Sequence, residues 1–573
     1  MKIKLLCFLV AIVMVVVGLA SCKPQGNNGD GGDETKGDYY WGASTIKIAL
    51  YENDNAGELS SGLTRFYAGA DDTKVSQLDT DIRARNAKAT EVTGVKATYS
   101  QETEYGWGGS LQKIPGETSV TSDAYPDVYC NFVYDMTSLA IRGCFMNLYA
   151  NTAKSSVKLG AGQNYFAFTK DGYKGIGDSY FDSTAGGGYF YDYMQSLSLA
   201  NANGEYDKMY VLASDYCIDL VRAFLVMPVN VNMMKLDLAD WAGDYIQDRD
   251  NDGDHDIDDF YALVWDGGWT YDALAAYSNA VFQSTGDDAT VSDINDTLGV
   301  AFGQTSGLTA SGLLYTSDVE IISRNGGSYG YPASNADLDA FAAALNGLFE
   351  NNANKGICSV NKGVFNSTND LGDIAGIRDR FGAGDYMLFG GIIALGSLED
   401  DAYQNMSKDD KSGFGVVCVP MYKDGSMEDY RTLVHNIARL PAISANTTEF
   451  EQCTAFLNYQ STNSAKILDA YYNQVLMGLV NNGGAKANNV KMLTFIRNHV
   501  RDCFDKTFED VVSAYMKSNG NAEADAQRWH QYFRDQNYKV TNIPYSTLVG
   551  TDKQKGSKTA NFNTILTEWK NLK

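Results

Sequence analysis

The sequence predicts an α/β protein, and three observations carry that prediction. Near the N-terminus two apolar runs, Thr45–Tyr51 and Val95–Ser100, bracket a helical stretch at 75–89, and strand, helix, strand at this spacing argues a parallel sheet. In the middle, residues 209–282 place an apolar β-branched run, an acidic loop and a helix start in a fixed order, the strand, loop, helix wiring of an α/β lobe. The length of 573 residues, less a short leader, is enough for two or more domains with real cores.

Residues 1–21 read as a lipoprotein signal peptide. Lys2 and Lys4 form a charged start, Leu5–Val17 an apolar core, and Leu19-Ala20-Ser21-Cys22 a cleavage box. The apolar run is short for a spanning helix. Cleavage before Cys22 would free its amine and let its thiol carry diacylglycerol, so lipidation is expected at Cys22, and acyl chains there would anchor the chain. Residues 22–43, rich in Gly, Asn and Asp, are then a flexible lipidated tether.

The formal charge of −25 argues against nucleic acid as a partner, because phosphate binding needs clustered Lys and Arg. Nine cysteines include Cys7 in the leader and Cys22, which leaves seven, an odd number, several of them in apolar runs. Few or no disulfides are expected, and with no C-x-x-C a thiolate metal site has no support.

Along the chain, a third strand is expected from Tyr125 and a short helix over 136–144. Residues 149–208, rich in Gly, Tyr, Ser and Asp, read as an insertion of loops and short strands near a cleft. Ile218–Val231 is long enough for two buried strands, or one strand and a turn at Pro228. Thr270 can cap the next helix, Asp272 suits its positive end, and Leu274, Tyr277 and Val281 share one face. Residues 298–303 and 312–323 supply strand and helix pieces of a second lobe. Over 338–349, Leu338, Phe341, Ala342, Leu345 and Phe349 form a core stripe, and 463–573 is mostly helical by pattern.

The sharpest local motif is the acidic loop 248–259. Asp248, Asp250, Asp252, Gly253, Asp254, Asp256 and Asp259 occupy positions 1, 3, 5, 6, 7, 9 and 12 of a calcium loop. Alternate residues can turn hard oxygens inward while Gly253 permits the bend. The loop resembles those of EF-hands, dockerins and thrombospondin repeats, with Asp in place of Glu at position 12 and His255 at the usually apolar position 8. A structural Ca2+ is the expected cofactor, since these carboxylates repel one another without a cation.

Catalytic constellations are weak: the four histidines are scattered, and there is no H-E-x-x-H, no G-x-S-x-G and no phosphate loop. The expectation is a protein that is not an enzyme, with a calcium-stabilised glycoside hydrolase as the enzymatic alternative.

Several ordered motifs resemble the sugar-binding branch of the extracellular solute-binding lipoproteins of ABC importers. Tyr210-Val211-Leu212, Val231-Asn232 and Trp269-Thr270 with Asp272-Ala273-Leu274 follow its central pattern, with Ala213 where Pro is usual and Val231 where Tyr is usual. Pro126-Asp127-Val128, Leu139, Gly143 and Leu148 resemble its first-lobe signature. Phe381 and Gly384 open a stretch similar to its strand returning to the first lobe, Gly413–Tyr422 its "G-V-x-x-x-P" strand, and 440–446 into 450–459 its return to the second lobe.

The resemblance implies a periplasmic-binding-protein-like fold of two discontinuous α/β lobes joined by a multi-strand hinge. Lobe 1 would comprise 44–212 and 365–428, and lobe 2 would comprise 213–364 and 429–573. It further implies a monomer on the extracytoplasmic face of the cell membrane that captures a small carbohydrate and passes it to ABC permease subunits. The alternatives are a surface glycan-binding lipoprotein without a transporter, or a binder of a peptide or other polar solute.

Ligand groups in such lobes sit at the C-terminal ends of strands. That selects Tyr51, Glu52 and Asn53, then Asn131, Phe132 and Asp135, then Asp215 and Tyr216 at the crossing, Gln304, and Gly390 and Gly391. Trp107 offers a stacking platform for a sugar ring, whereas Trp269 reads as a helix-anchoring core residue.

Overall fold

A computed structural model describes residues 43–52, 63–69, 76–103, 126–148, 188–286, 296–302, 307–359, 374–406, 413–476, 486–518 and 552–572, apart from 207, 326, 333, 352, 385, 475 and 502–503. In chain order its first half contains β1 (Ser44–Glu52), α1 (Leu63–Ala68), α2 (Gln77–Thr93), β2 (Val95–Thr103), β3 (Val128–Phe132), α3 (Val133–Ile141), α4 (Ile218–Arg222), β4 (Leu225–Asn230), α5 (Ile257–Trp265) and α6 (Tyr271–Val281). There follow β5 (Leu298–Phe302), α7 (Gly307–Tyr315), β6 (Ile357–Ser359), β7 (Met387–Phe389), β8 (Ile393–Ala394), β9 (Phe414–Val417), β10 (Arg439–Ile443), α8 (Phe450–Thr462), α9 (Ala465–Gln474), α10 (Lys486–Asn498), α11 (Phe504–Ser518) and α12 (Asp552–Asn571).

Local chemistry sets these boundaries. Ser76 and Asp79 form a capping box at the start of α2, and Gly94 ends it at φ 74°, a conformation that costs glycine nothing. The Thr270 hydroxyl accepts the Ala273 amide and opens α6, whose Leu274, Tyr277 and Val281 are all buried. Among the described residues no helix is long and apolar enough to cross a membrane.

The strands form two principal sheets. The first has the order β10-β3-β1-β2, with β1 parallel to β2 and β3, and β10 antiparallel to β3. The second has the order β8-β4-β7-β5-β6, with β9 against β4; β5 is parallel to β6 and β7, and β4 is antiparallel to β7, β8 and β9. The chain is α/β, and each sheet draws strands from separated parts of the sequence.

Three segments cross between the sheets side by side. Phe224 bridges Val434 and Thr432 bridges Val500, while the Leu225 amide bonds Leu433 O at 2.9 Å and the His435 amide bonds Ala223 O at 2.8 Å. This is a multi-strand hinge. Its direction follows from the register. β10 starts at Arg439, opposite Phe132, so β3 ends at the crossing and the parallel β1 and β2 run the same way. β4 leaves the crossing, so β7, antiparallel to it, returns, and β5 and β6 run with β7. The C-terminal ends of six strands from two sheets therefore face one junction.

The structure reverses one expectation about strand membership. β7, β8 and β9, all within 365–428, belong to the second sheet, and β10, within 429–573, pairs with β3 in the first. α8 and α9 likewise pack on α2 beside the first sheet. The reason lies in the pairing: Gly390 lacks a Cβ, which would stand 2.7 Å from Pro228 Cγ, and its amide donates to Pro228 O at 2.9 Å, so the β7–β8 strand closes onto β4.

Pro228 makes no turn. It lies within β4 beside the break between β7 and β8, and Ile218–Arg222 is a short helix rather than a strand. Six cysteines, Cys130, Cys144, Cys217, Cys358, Cys418 and Cys453, are buried free thiols, and burial pushes Cys217 up to about 11. Cys22 and Cys503 lie outside the described residues.

Candidate functional site

At the crossing the first sheet's strand ends meet a buried chain of charges. Arg439 opens β10; its Nε donates to Tyr51 O at 2.9 Å, and its guanidinium lies 4.8 Å over the Phe132 ring. Its amide and Nη1 reach Asp219 Oδ2 at 2.8 and 3.5 Å. Asp219 also holds Arg222 at 3.0 Å, and Arg222 forks onto both Glu399 oxygens at 2.7 and 3.3 Å. The Tyr471 hydroxyl donates to Glu399 at 2.8 Å. A guanidinium fork suits this work because its planar donors match a carboxylate pair.

Asp215 lies on the first crossing segment and pairs with Arg497 on the third at 2.5 Å. Burial pushes its carboxyl up, and Arg497 opposes that shift. Tyr216 is knitted into the first lobe: its hydroxyl is 3.2 Å from that of Tyr99, its ring meets Tyr67 edge-on, and Arg85 sits 4.9 Å over it.

Tyr51 packs against Tyr129 with ring centroids 6.4 Å apart. Asn131 is fully buried at the end of β3; its Oδ1 takes the Phe132 amide, and its Nδ2 has no hydrogen-bond partner among the described residues. Asp135, also buried, stands in the first turn of α3, where the helix dipole favours a carboxylate.

The structure thus brings Tyr51, Asn131, Phe132 and Asp135 to one sheet end and Asp215 to the crossing. Gly390 and Gly391 are buried and serve close packing, Gly390 against Pro228 and Phe381, Gly391 at φ 72° against Ala301 O. Glu52 ends β1, while Asn53, Trp107 and Gln304 lie outside the described residues. Trp269 is a core residue, as expected: its Nε1 donates to Cys418 O at 2.9 Å, and Phe260, Tyr277 and Phe389 surround it.

Sequence reasoning missed Arg222, Glu399, Arg439 and Arg497. The available signal was an arginine inside an apolar run, as in Asp219-Leu220-Val221-Arg222-Ala223-Phe224 and Ile437-Ala438-Arg439-Leu440-Pro441. A buried arginine demands a partner.

The acidic loop lies beyond the far end of β4, away from the crossing. Oxygens of Asp248, Asp250 and Asp252 lie within 4.8 Å of one another, as do those of Asp254, Asp256 and Asp259. Gly253 turns between these triads at φ 99°. The Asp259 carboxylate gathers the amides of Arg249, Asp250 and Asp256. His255 anchors the loop, with Nδ1 2.8 Å from Gln247 O and Nε2 3.1 Å from the Tyr277 hydroxyl, which explains a polar residue at position 8.

Three carboxyl groups of the loop are pushed above their ordinary range. Partial desolvation and the neighbouring carboxylates raise Asp250 and Asp256, and the charge of Asp252 is the main cause for Asp254. The two triads offer hard carboxylate oxygens, the donor type that calcium takes.

No protein-family model matches the chain, and no curated protein matches it. Among solved structures it is similar to the GacH receptor of Streptomyces glaucescens, solved unliganded and in complex with acarbose and an acarbose homolog. The identity is 12%, the TM-score 0.41, and the match covers 92% of this chain and 100% of that one. A likeness this loose identifies neither family nor ligand.

Proposed function

We propose that this chain is a lipid-anchored, two-lobed solute-binding protein that captures a carbohydrate between its lobes and delivers it to an ABC importer permease. One observation carries the reading: six strand ends from two sheets converge on a hinge of three adjacent segments, the place where open α/β sheets bind ligands. Rotation about adjacent crossing segments closes one lobe on the other, and both lobes then contribute contacts. Tyr51, Asn131 and Asp135 are buried behind the strand ends, and the ring, amide and carboxylate they supply there are the group types that suit a sugar's apolar face and hydroxyls.

The acidic loop holds a structural Ca2+ through Asp248, Asp250, Asp252, Asp256 and Asp259, with position 7, Asp254, bonding through its backbone oxygen. Cleavage before Cys22 and acylation of its thiol hold the protein on the extracytoplasmic face of the membrane. Isothermal titration against mono- and oligosaccharides tests the reading. Saturable heat with a sugar is expected, and heat only with peptides or other polar solutes would replace the ligand class.

A further inference from the structure

We propose that Arg439 is the positioning residue of the binding junction. Through a buried ion chain it holds the ligand-facing strand ends of the first lobe in register with the second, without touching the solute. The inference rests on the junction being the solute site.

Arg439 clasps the two strand ends from which ligand-facing residues issue. Its Nε fixes the last turn-out of β1 at Tyr51 O, and its guanidinium covers Phe132 at the end of β3. The same residue is tied through Asp219 to α4, the entry to the second sheet. From Asp219 the chain runs to Arg222, whose guanidinium also lies 4.6 Å over Phe66 of α1, and on to Glu399, which follows β8 of the second sheet, and it closes on Tyr471 of α9, back beside the first lobe. A displacement of either lobe therefore pulls on Tyr51 and Phe132 through paired charges.

Stability alone does not account for such an arrangement. Buried ion pairs often contribute less than apolar residues of the same volume, whereas they do fix one geometry where the alternatives leave charges unpaired. Arg439 and Asp219 are almost completely buried, so neither can exchange its partner for water. Glu399 is the chain's partly exposed end, at 24%, and there the chain can be perturbed with least damage to the core.

Two variants decide the matter, read first by affinity beside melting temperature and then by hydrogen exchange. Arg439→Lys keeps the charge and removes the fork, and Glu399→Gln weakens the chain from the second lobe. Each is titrated calorimetrically with whichever of glucose, galactose, maltose, cellobiose or maltotriose the unmodified protein binds, and the melting temperature of each is measured. The proposal expects Kd to rise by about tenfold for Arg439→Lys and by a smaller factor for Glu399→Gln, for protein that remains folded.

A merely structural role would lower the melting temperature and leave Kd of the folded protein unchanged, and that result overturns the proposal. The second readout needs no ligand. In hydrogen exchange of the ligand-free protein, Glu399→Gln is expected to speed exchange at Leu50, Tyr51 and Asn131 in the first lobe. Faster exchange confined to 395–399 and α4 overturns the proposal. If the unmodified protein binds none of the sugars, the carbohydrate reading fails, and the exchange experiment still decides the role of Arg439.

Discussion

His435 offers a prediction whose magnitude follows from its surroundings. It lies on the second crossing segment, with Nδ1 accepting the Ile437 amide at 3.1 Å. Burial pushes its pKa from 6.5 down to about 3; the Lys506 ammonium adds to the shift and Asp510, itself paired with Lys506 and Asn436, opposes it. The folded protein holds the ring neutral while the unfolded chain protonates near 6.5. Its contribution to stability is therefore intact above that value and is lost as the pH falls from about 6.5 toward 3.

At about pH 5 the separation from 6.5 is roughly 1.5 pH units, which converts to about 2 kcal/mol. The residue is half-buried, and solvent screening makes this figure a ceiling. His435→Asn isolates it, because the asparagine carbonyl can accept the Ile437 amide as in an Asx turn while the titrating ring is gone. Urea unfolding of both proteins at about pH 7.5 and about pH 5, followed by tryptophan fluorescence, gives the double difference. The variant is expected to lose less stability on acidification, by up to about 2 kcal/mol. His499, whose pKa burial also lowers, is present in both proteins and cancels. Equal losses in the two proteins would refute the reasoning.

Other consequences can be measured in parallel. Trp269→Ala removes a fully buried ring and its bond to Cys418 O and should cost about 3–5 kcal/mol in urea unfolding. Gly299→Ala would place a Cβ 2.1 Å from Ser278 Cα and Cβ, so a loss of about 1–3 kcal/mol is expected in the same assay. Calcium at about one hundred times its Kd should stabilise by about 2.7 kcal/mol, reversed by chelator and abolished by Asp250→Asn with Asp259→Asn; a melting temperature indifferent to calcium would remove the metal from the account. Cys22→Ser should abolish palmitate labelling and release the protein to the aqueous phase of a detergent partition, whereas unchanged partition would remove the lipid anchor.

What the sequence disclosed, and what it hid, divides along physical lines. Features written in local chemistry were legible. The Thr270 cap, the apolar stripe of α6, the strand-helix-strand of β1, α2 and β2, and the core role of Trp269 each depend on neighbours a few residues away or on an apolar side chain whose fate is burial. Long-range pairing was not. The runs at 387–394, 414–417 and 439–443 announce strands but carry no label for the partner sheet, and these strands joined the sheet opposite to the one expected.

The candidate site was legible as positions at strand ends and not as interactions. Tyr51, Asn131, Phe132 and Asp135 do gather at one end of the first sheet, yet the arginines that organise this end stand in apolar runs that read as ordinary core strands. Gly390 and Gly391 looked like openings for a ligand and instead admit Pro228 and Ala301 O. A missing Cβ signals close approach without saying by what.

The central claim is that solute sits at the junction onto which both sheets aim their strand ends, and a crystal structure of the protein grown with a bound sugar tests it most directly. The account predicts density for the sugar between the ends of β1 and β3 on one side and those of β5 and β7 on the other, with no direct contact to Arg439. A sugar seated on the outer face of a single lobe, with the junction filled only by side chains, would contradict it.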